Sequence, residues 1–252
     1  MLAGAVQGGV PAASSPPESG RVNVAGARAR LFPWLCCFCL AILPIAAAAS
    51  GAEAAGPAAL PHPLALDQNH GRIELQPGGL LIAPEKGTDL FAKADGSAAT
   101  DNLPRALFAA DGDLVLSAQV LPAFGGAAYE GAALIVHGGE RCWGKLLFER
   151  FASGGNGIAT TVANGRGGDD AYHGTRAAEA QYLKIVRRGG GWIFYASQDG
   201  SHWEFLRQFA LDCAGPVRVG FAAQAPLSDG FEAAFTALRY RAGTISDFWQ
   251  GE

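Results

Sequence analysis

Val217-Arg218-Val219-Gly220-Phe221-Ala222-Ala223-Gln224 alternates apolar side chains with small or polar ones. A period of two residues marks a strand with one face against a core. It places Val217, Val219, Phe221 and Ala223 on the buried side and Arg218, Gly220, Ala222 and Gln224 on the other. Cys142-Trp143-Gly144-Lys145-Leu146-Leu147-Phe148-Glu149 repeats the pattern. There Cys142, Leu146 and Phe148 share one face, and Trp143, Lys145, Leu147 and Glu149 share the opposite face. In Gln181–Arg187, Leu183 and Ile185 lie with Arg187, opposed by Tyr182 and Lys184.

Working outward, short apolar runs recur between turn signals. Further candidate strands are Gly71–Leu75, Gly79–Ala83, Asp113–Leu121, Ala132–Gly138, Ile158–Ala163, Trp192–Ser197, Trp203–Phe209 and Glu232–Arg241. Asp95-Gly96, Asp111-Gly112, Asn164-Gly165, Asp199-Gly200 and Asp229-Gly230 supply turns, and Gly189-Gly190-Gly191 reads as a hairpin. No stretch of this region carries a sustained 3.6-residue apolar period. About eleven strands without a helix predict an all-β fold of two packed antiparallel sheets. Glycine at 35 of 252 residues fits a turn-rich β protein.

The first fifty residues read differently. Arg21, Arg28 and Arg30 precede an uncharged run from Leu31 to Ala49, and small residues follow. A basic region, an apolar core and a small-residue zone predict a secretory signal over 1–50, with an uncleaved anchor as the alternative. Both place the domain outside the cytoplasm, secreted or periplasmic. Residues 51–66 are Ala/Pro-rich and read as a linker, 67–246 as the sandwich, and 247–252 as a packing tail. Beyond residue 50 the chain has 16 basic and 22 acidic side chains. No basic stripe results, which excludes a nucleic-acid partner; membrane contact is expected only if the signal stays uncleaved. Cys142 and Cys213 remain in this part; two separate buried thiols is the expectation, one disulfide the alternative.

A set of stretches then matches a family. They are Thr88-Asp89-Leu90-Phe91, Asp101-Asn102-Leu103-Pro104, Gly112–Ala118, Tyr129–Leu134 and Cys142–Glu149. They continue with Val162-Ala163-Asn164-Gly165, Gly168-Asp169-Asp170, Ser197–Trp203 and Val219–Pro226. In this order the chain resembles a domain-of-unknown-function family with a concanavalin A-like jelly-roll fold, related to the regulation-of-enolase protein. The resemblance spans about 70–245 and implies a concanavalin A-like β-sandwich. The chain departs from it at Gly168 and Ala225, where members usually or often carry Ser.

The face of Trp143, Lys145 and Glu149 is the first candidate site. Aromatic rings stack on the apolar faces of sugars, and neighbouring charged groups bond to hydroxyls. With Gln224 and Asp169 or Asp170 bordering it, a glycan groove results; the competing reading is an amphipathic strand with a half-exposed Trp143. Asp169-Asp170 reads as an acidic loop, far short of a calcium ligand set. Glycoside hydrolysis needs two acids flanking the bond, and Glu149 with Asp169 or Asp170 is the one pair on offer. The histidines lack metal-ligand spacing, no nucleophile elbow or phosphate loop occurs, and no cofactor or metal is expected. The expected function is an exported, non-catalytic domain that binds a glycan or another small molecule. The alternatives are a glycoside hydrolase or lyase using Glu149, and a protein–protein regulatory module.

Overall fold

A computed structural model describes residues 60–252; the segment read as a secretory signal lies outside them. Sixteen strands occur and, among the described residues, no helix. Numbered in chain order, the first sheet runs β1 (Ala65–Asp67), β6 (Arg105–Ala109), β15 (Arg218–Gln224), β8 (Gly131–His137), β9 (Cys142–Arg150), β10 (Asn156–Asn164) and β11 (Gly168–Arg176). The second runs β14 (Glu204–Ala210), β13 (Gly191–Ser197), β12 (Gln181–Arg188), β7 (Leu114–Ala123), β16 (Glu232–Ala242), β3 (Gly79–Pro84) and β2 (Gly71–Gln76). Every neighbouring pair is antiparallel. A separate hairpin joins β4 (Leu90–Ala92) and β5 (Ala99–Asp101).

The predicted alternation decides what fills the sandwich. Leu146, Phe148, Val219 and Phe221 from the first sheet join Leu183, Ile185, Phe194 and Phe235 from the second in one core. Phe221 meets Phe235 edge-on across the layers, ring centres 5.5 Å apart. Gly144 sits where a Cβ would come within 2.6 Å of the Phe209 ring, so its missing side chain admits that ring. Gly189 and Gly190 both take positive φ, 57° and 86°, the conformation that a two-residue hairpin between right-twisted strands requires.

The outer faces are also covered. The Glu85–Pro104 segment, with its hairpin, lies over part of the first sheet, where Leu90, Ala92 and Leu103 form a second cluster with Ile135, Trp143 and Leu147. Over the second sheet, Ile245 and Phe248 pack with Val115, Val186, Ile193 and Tyr195. Phe248 thus brings the tail onto this face. Trp203 also lies on this outer face, with Lys184 Nζ 3.8 Å from its ring centre.

Three expectations are corrected. Cys142 and Cys213 form a disulfide, their Cα atoms 5.5 Å apart, because the β14–β15 connection passes over the start of β9. Asp169-Asp170 are not in a loop but in β11, an edge strand too polar and glycine-rich to show a period. The strands β1, β4, β5 and β6 were not anticipated either: at three to five residues they are too short for alternation to register, and β1 begins inside the stretch read as linker.

Candidate functional site

The cleft begins with β9. Its outward residues are Trp143, Lys145, Leu147 and Glu149, the set that alternation predicts. Lys145 pairs laterally with Thr161 of β10, which pairs with Asp170 of β11, so Lys145, Thr161 and Asp170 form a row across three strands. Two rows along, past Leu147, Gln224 of β15 pairs with Gly131 of β8, and Gly131 with Glu149. Gly131 carries no side chain between the two: a Cβ there would lie 3.2 Å from Glu149 Cβ and 3.5 Å from Gln224 Cγ. Lys145, Glu149, Thr161, Asp170 and Gln224 line a cleft of about 460 Å³, together with Asp89, Tyr129 and Tyr172.

Trp143 does not reach it. The ring is fully buried beneath the β4–β5 segment, and its Nε1 donates to the Glu140 carbonyl at 2.9 Å. The half-exposed stacking surface expected of it does not exist. Alternation gives the face of a side chain but not what crosses above it. The apolar surface at the cleft comes instead from Tyr172 and Leu227, 61% and 59% exposed. Phe151 braces the Tyr172 ring edge-on, centres 5.1 Å apart.

Asp169 is the second correction. Neighbouring residues of a strand point to opposite faces, so only one of the two aspartates can enter the cleft. Asp170 does, where it accepts a bond from Thr161 Oγ1 at 2.5 Å. Asp169 is turned toward Arg207 of β14, whose Nη2 donates to it at 3.1 Å. The proposed pair of Glu149 with Asp169 therefore falls.

Lys145, Glu149 and Gln224 come together, all but buried. Lys145 Nζ donates to Gln224 Oε1 at 2.7 Å and lies 3.4 Å from Asp89 Oδ1. Gln224 Nε2 donates to the Tyr129 carbonyl at 3.1 Å. Tyr129 holds φ 67°, a conformation costly for a residue with a Cβ and concentrated at functional sites. Glu149, 4% exposed, receives no hydrogen bond among the described residues. Burial lifts its carboxyl; Lys145 opposes this, while Asp89 and Asp170 add to it, and the group is pushed up to about 7. Burial, then the Glu149 and Asp170 carboxylates, also push the Tyr172 phenol up.

Asp89 was missed as a site residue because it lies outside any periodic strand. Its position follows from local bonding. Asp89 N donates to Asn102 Oδ1 at 2.8 Å, and Asn102 N to the Asp89 carbonyl at 3.1 Å. Thr88 Oγ1 donates to the Glu85 carbonyl and accepts from Ala225 N, at 2.7 and 2.9 Å. Thr88-Asp89 and Asp101-Asn102, quoted above for the resemblance, thus fasten the covering segment over Lys145. Gly168, where a Ser was usual, faces the Ala92 carbonyl, and a Cβ would lie 2.4 Å from that oxygen. The departure fits the close approach of the covering hairpin.

A second hollow, of about 370 Å³, borders Asp67, Arg105, His137 and Arg218. Its buried charges satisfy one another. Arg105 bonds to Asp101 and, at 3.1 Å, to Asp67, and His137 Nε2 is 2.8 Å from Asp101 Oδ2. Burial disfavours the Asp101 carboxylate, but His137 and then Arg105 outweigh it and hold the group below its ordinary value. The network clamps β1 and β5 to the sheet.

The sandwich is similar to solved structures at low sequence identity, which shows the fold alone. A functionally unknown protein from Saccharomyces cerevisiae superimposes with TM-score 0.65 and 16% identity, covering 72% of this chain and 97% of that one. The GH43 BlXynB protein from Bacillus licheniformis gives 0.53 and 18%, covering 67% of this chain and 34% of that one. Xylan β-1,4-xylosidase from Bacillus halodurans C-125 gives 0.53 and 17%, covering 69% and 35%. The chain spans about a third of the length of either hydrolase. No curated protein matches it in sequence. A family match over residues 69–243 settles its kinship: the chain belongs to the protein family of unknown function DUF1349.

Proposed function

We propose that this domain binds a saccharide unit or a similar polyhydroxylated molecule in the cleft over β9, outside the cytoplasm. One observation carries the reading: Lys145, Glu149, Asp170 and Gln224, from three strands and up to 79 residues apart, converge on a single hollow. Five of the stretches that carried the family resemblance meet there, through Asp89, Tyr129, Lys145, Asp170 and Gln224. A sugar needs directed donors and acceptors below it and an apolar surface beside it. Buried polar groups supply the first, and Tyr172 with Leu227 the second. The disulfide supports an oxidising compartment, as the secretory reading of residues 1–50 does.

The second reading is a glycoside hydrolase or lyase with Glu149 and Asp170. The observation in its favour is Glu149 itself, an unpaired carboxyl titrating at about 7, suited to hold and give up a proton near neutrality. A glycan array probed with the exported chain, followed by product analysis on every glycan bound, separates the two. Binding without turnover, lost in Gln224→Ala, is the outcome expected. Turnover abolished by Glu149→Gln establishes the enzyme instead, and an array without any bound glycan overturns both.

A further inference from the structure

The charges of the cleft restrict what it can hold. Asp89 on the covering segment, Lys145 and Glu149 on β9, and Asp170 on β11 are its charged groups, with Tyr129 and Tyr172 as phenols. Lys145 is already engaged by Gln224 and Asp89. Its charge is balanced by Asp89, so among the described residues lining the cleft no free cation remains for a carboxylate or sulfate on a ligand. Asp170 keeps one protein donor, Thr161. Glu149 is more than nine-tenths buried, faces the hollow, and has no donor among the described residues. Its oxygens open onto the cleft, so a ligand that displaces water there must itself supply the donor. Among the described residues no three His, Cys, Asp or Glu side chains converge closely enough to ligate a metal ion. The complementary group is therefore an organic cation with several N–H donors.

Resting on the cleft being a saccharide site, we propose that its ligand carries a free protonated amine, as an unacetylated amino sugar does, and that the amine lies against Glu149, on the side of the cleft that Asp170 lines. The hydroxyls then face Lys145 and Gln224, and the apolar ring face lies against Tyr172. An ammonium there makes a charge-assisted bond to Glu149 in the added negative field of Asp170, whereas an acetamide makes only a neutral hydrogen bond and a uronate is repelled.

Calorimetric titration of the exported chain at pH 7 and low salt tests this with three oligosaccharides of equal length: a glucosamine oligomer, its N-acetylated form and a galacturonate oligomer. The glucosamine oligomer is expected to bind at least about tenfold more tightly than the acetylated form, and the galacturonate not measurably. Combining Glu149→Gln with Asp170→Asn should bring the first two to equal affinity, with thermal unfolding showing that the variant still folds. Should the acetylated or acidic oligomer bind as tightly as the amine, the amine preference is wrong while the saccharide site stands. Should none bind, both are overturned. Should the double variant keep the preference, the amine is held elsewhere.

Discussion

Glu149 is the residue on which the chemistry of the cleft turns, and its burial has a consequence for stability. An unfolded glutamate loses its proton near 4.5, and this one near 7. Between those values the native state holds more protons than the unfolded chain, so stability falls as pH rises through the window. Above pH 7 the cost is complete, on the order of 3 kcal/mol. Glu149→Gln removes the titration, so urea unfolding of the variant should be more stable than wild type at pH 8 and nearly equal to it at pH 4. Equal stabilities at both pH values would contradict the account. Trp143 makes the opposite case, a side chain that packs rather than binds. Trp143→Ala should cost about 3–5 kcal/mol while leaving the ligand affinity of the folded protein within about twofold. A selective loss of affinity would return Trp143 to the site.

At the scale of elements, period two was enough to put Lys145 and Glu149 on one face of β9 and to turn Gln224 of β15 away from the core, but not to bring the two strands' outer faces together. The same reasoning could not separate Asp169 from Asp170, because β11 looks like a loop when its side chains are small and polar. An edge strand gains its order from the β10 ladder, not from apolar burial of its own. Nor could periodicity foresee the cover over Trp143, since β4 and β5 are three residues each. Two predictions belong to these elements. Gly168→Ser, although it restores the side chain usual in the family resemblance, should destabilise the fold, because its Cβ would meet the Ala92 carbonyl at 2.4 Å. A rise in melting temperature would show that the covering hairpin yields freely. The disulfide closes a separation of 71 residues, for which loop-closure entropy gives about 4 kcal/mol. The Cys142→Ser, Cys213→Ser double variant should lose roughly that much in a denaturant titration, and an unchanged midpoint would contradict it.

Across the whole molecule, the two outer faces are closed by different parts of the chain. The covering segment before β6 shields one end of the first sheet and leaves the cleft open beside it. On the second sheet the tail does the shielding: Lys184 Nζ donates to the Gly251 carbonyl at 2.6 Å, and Tyr195 OH to the Phe248 carbonyl at 2.7 Å. The hollow over β9 stays open among the described residues, with Tyr172 and Leu227 exposed at it. The double layer itself was legible from alternation and turns, while the hollow's contents depended on loops and edges that carry no period. The most direct measurement is a titration of the isotope-labelled domain with a glucosamine oligomer, followed by amide chemical shifts. The account predicts saturable shifts concentrated at Lys145–Glu149, Asp170–Tyr172 and Gln224. Shifts confined to the second sheet and its tail, or none at millimolar ligand, would contradict it.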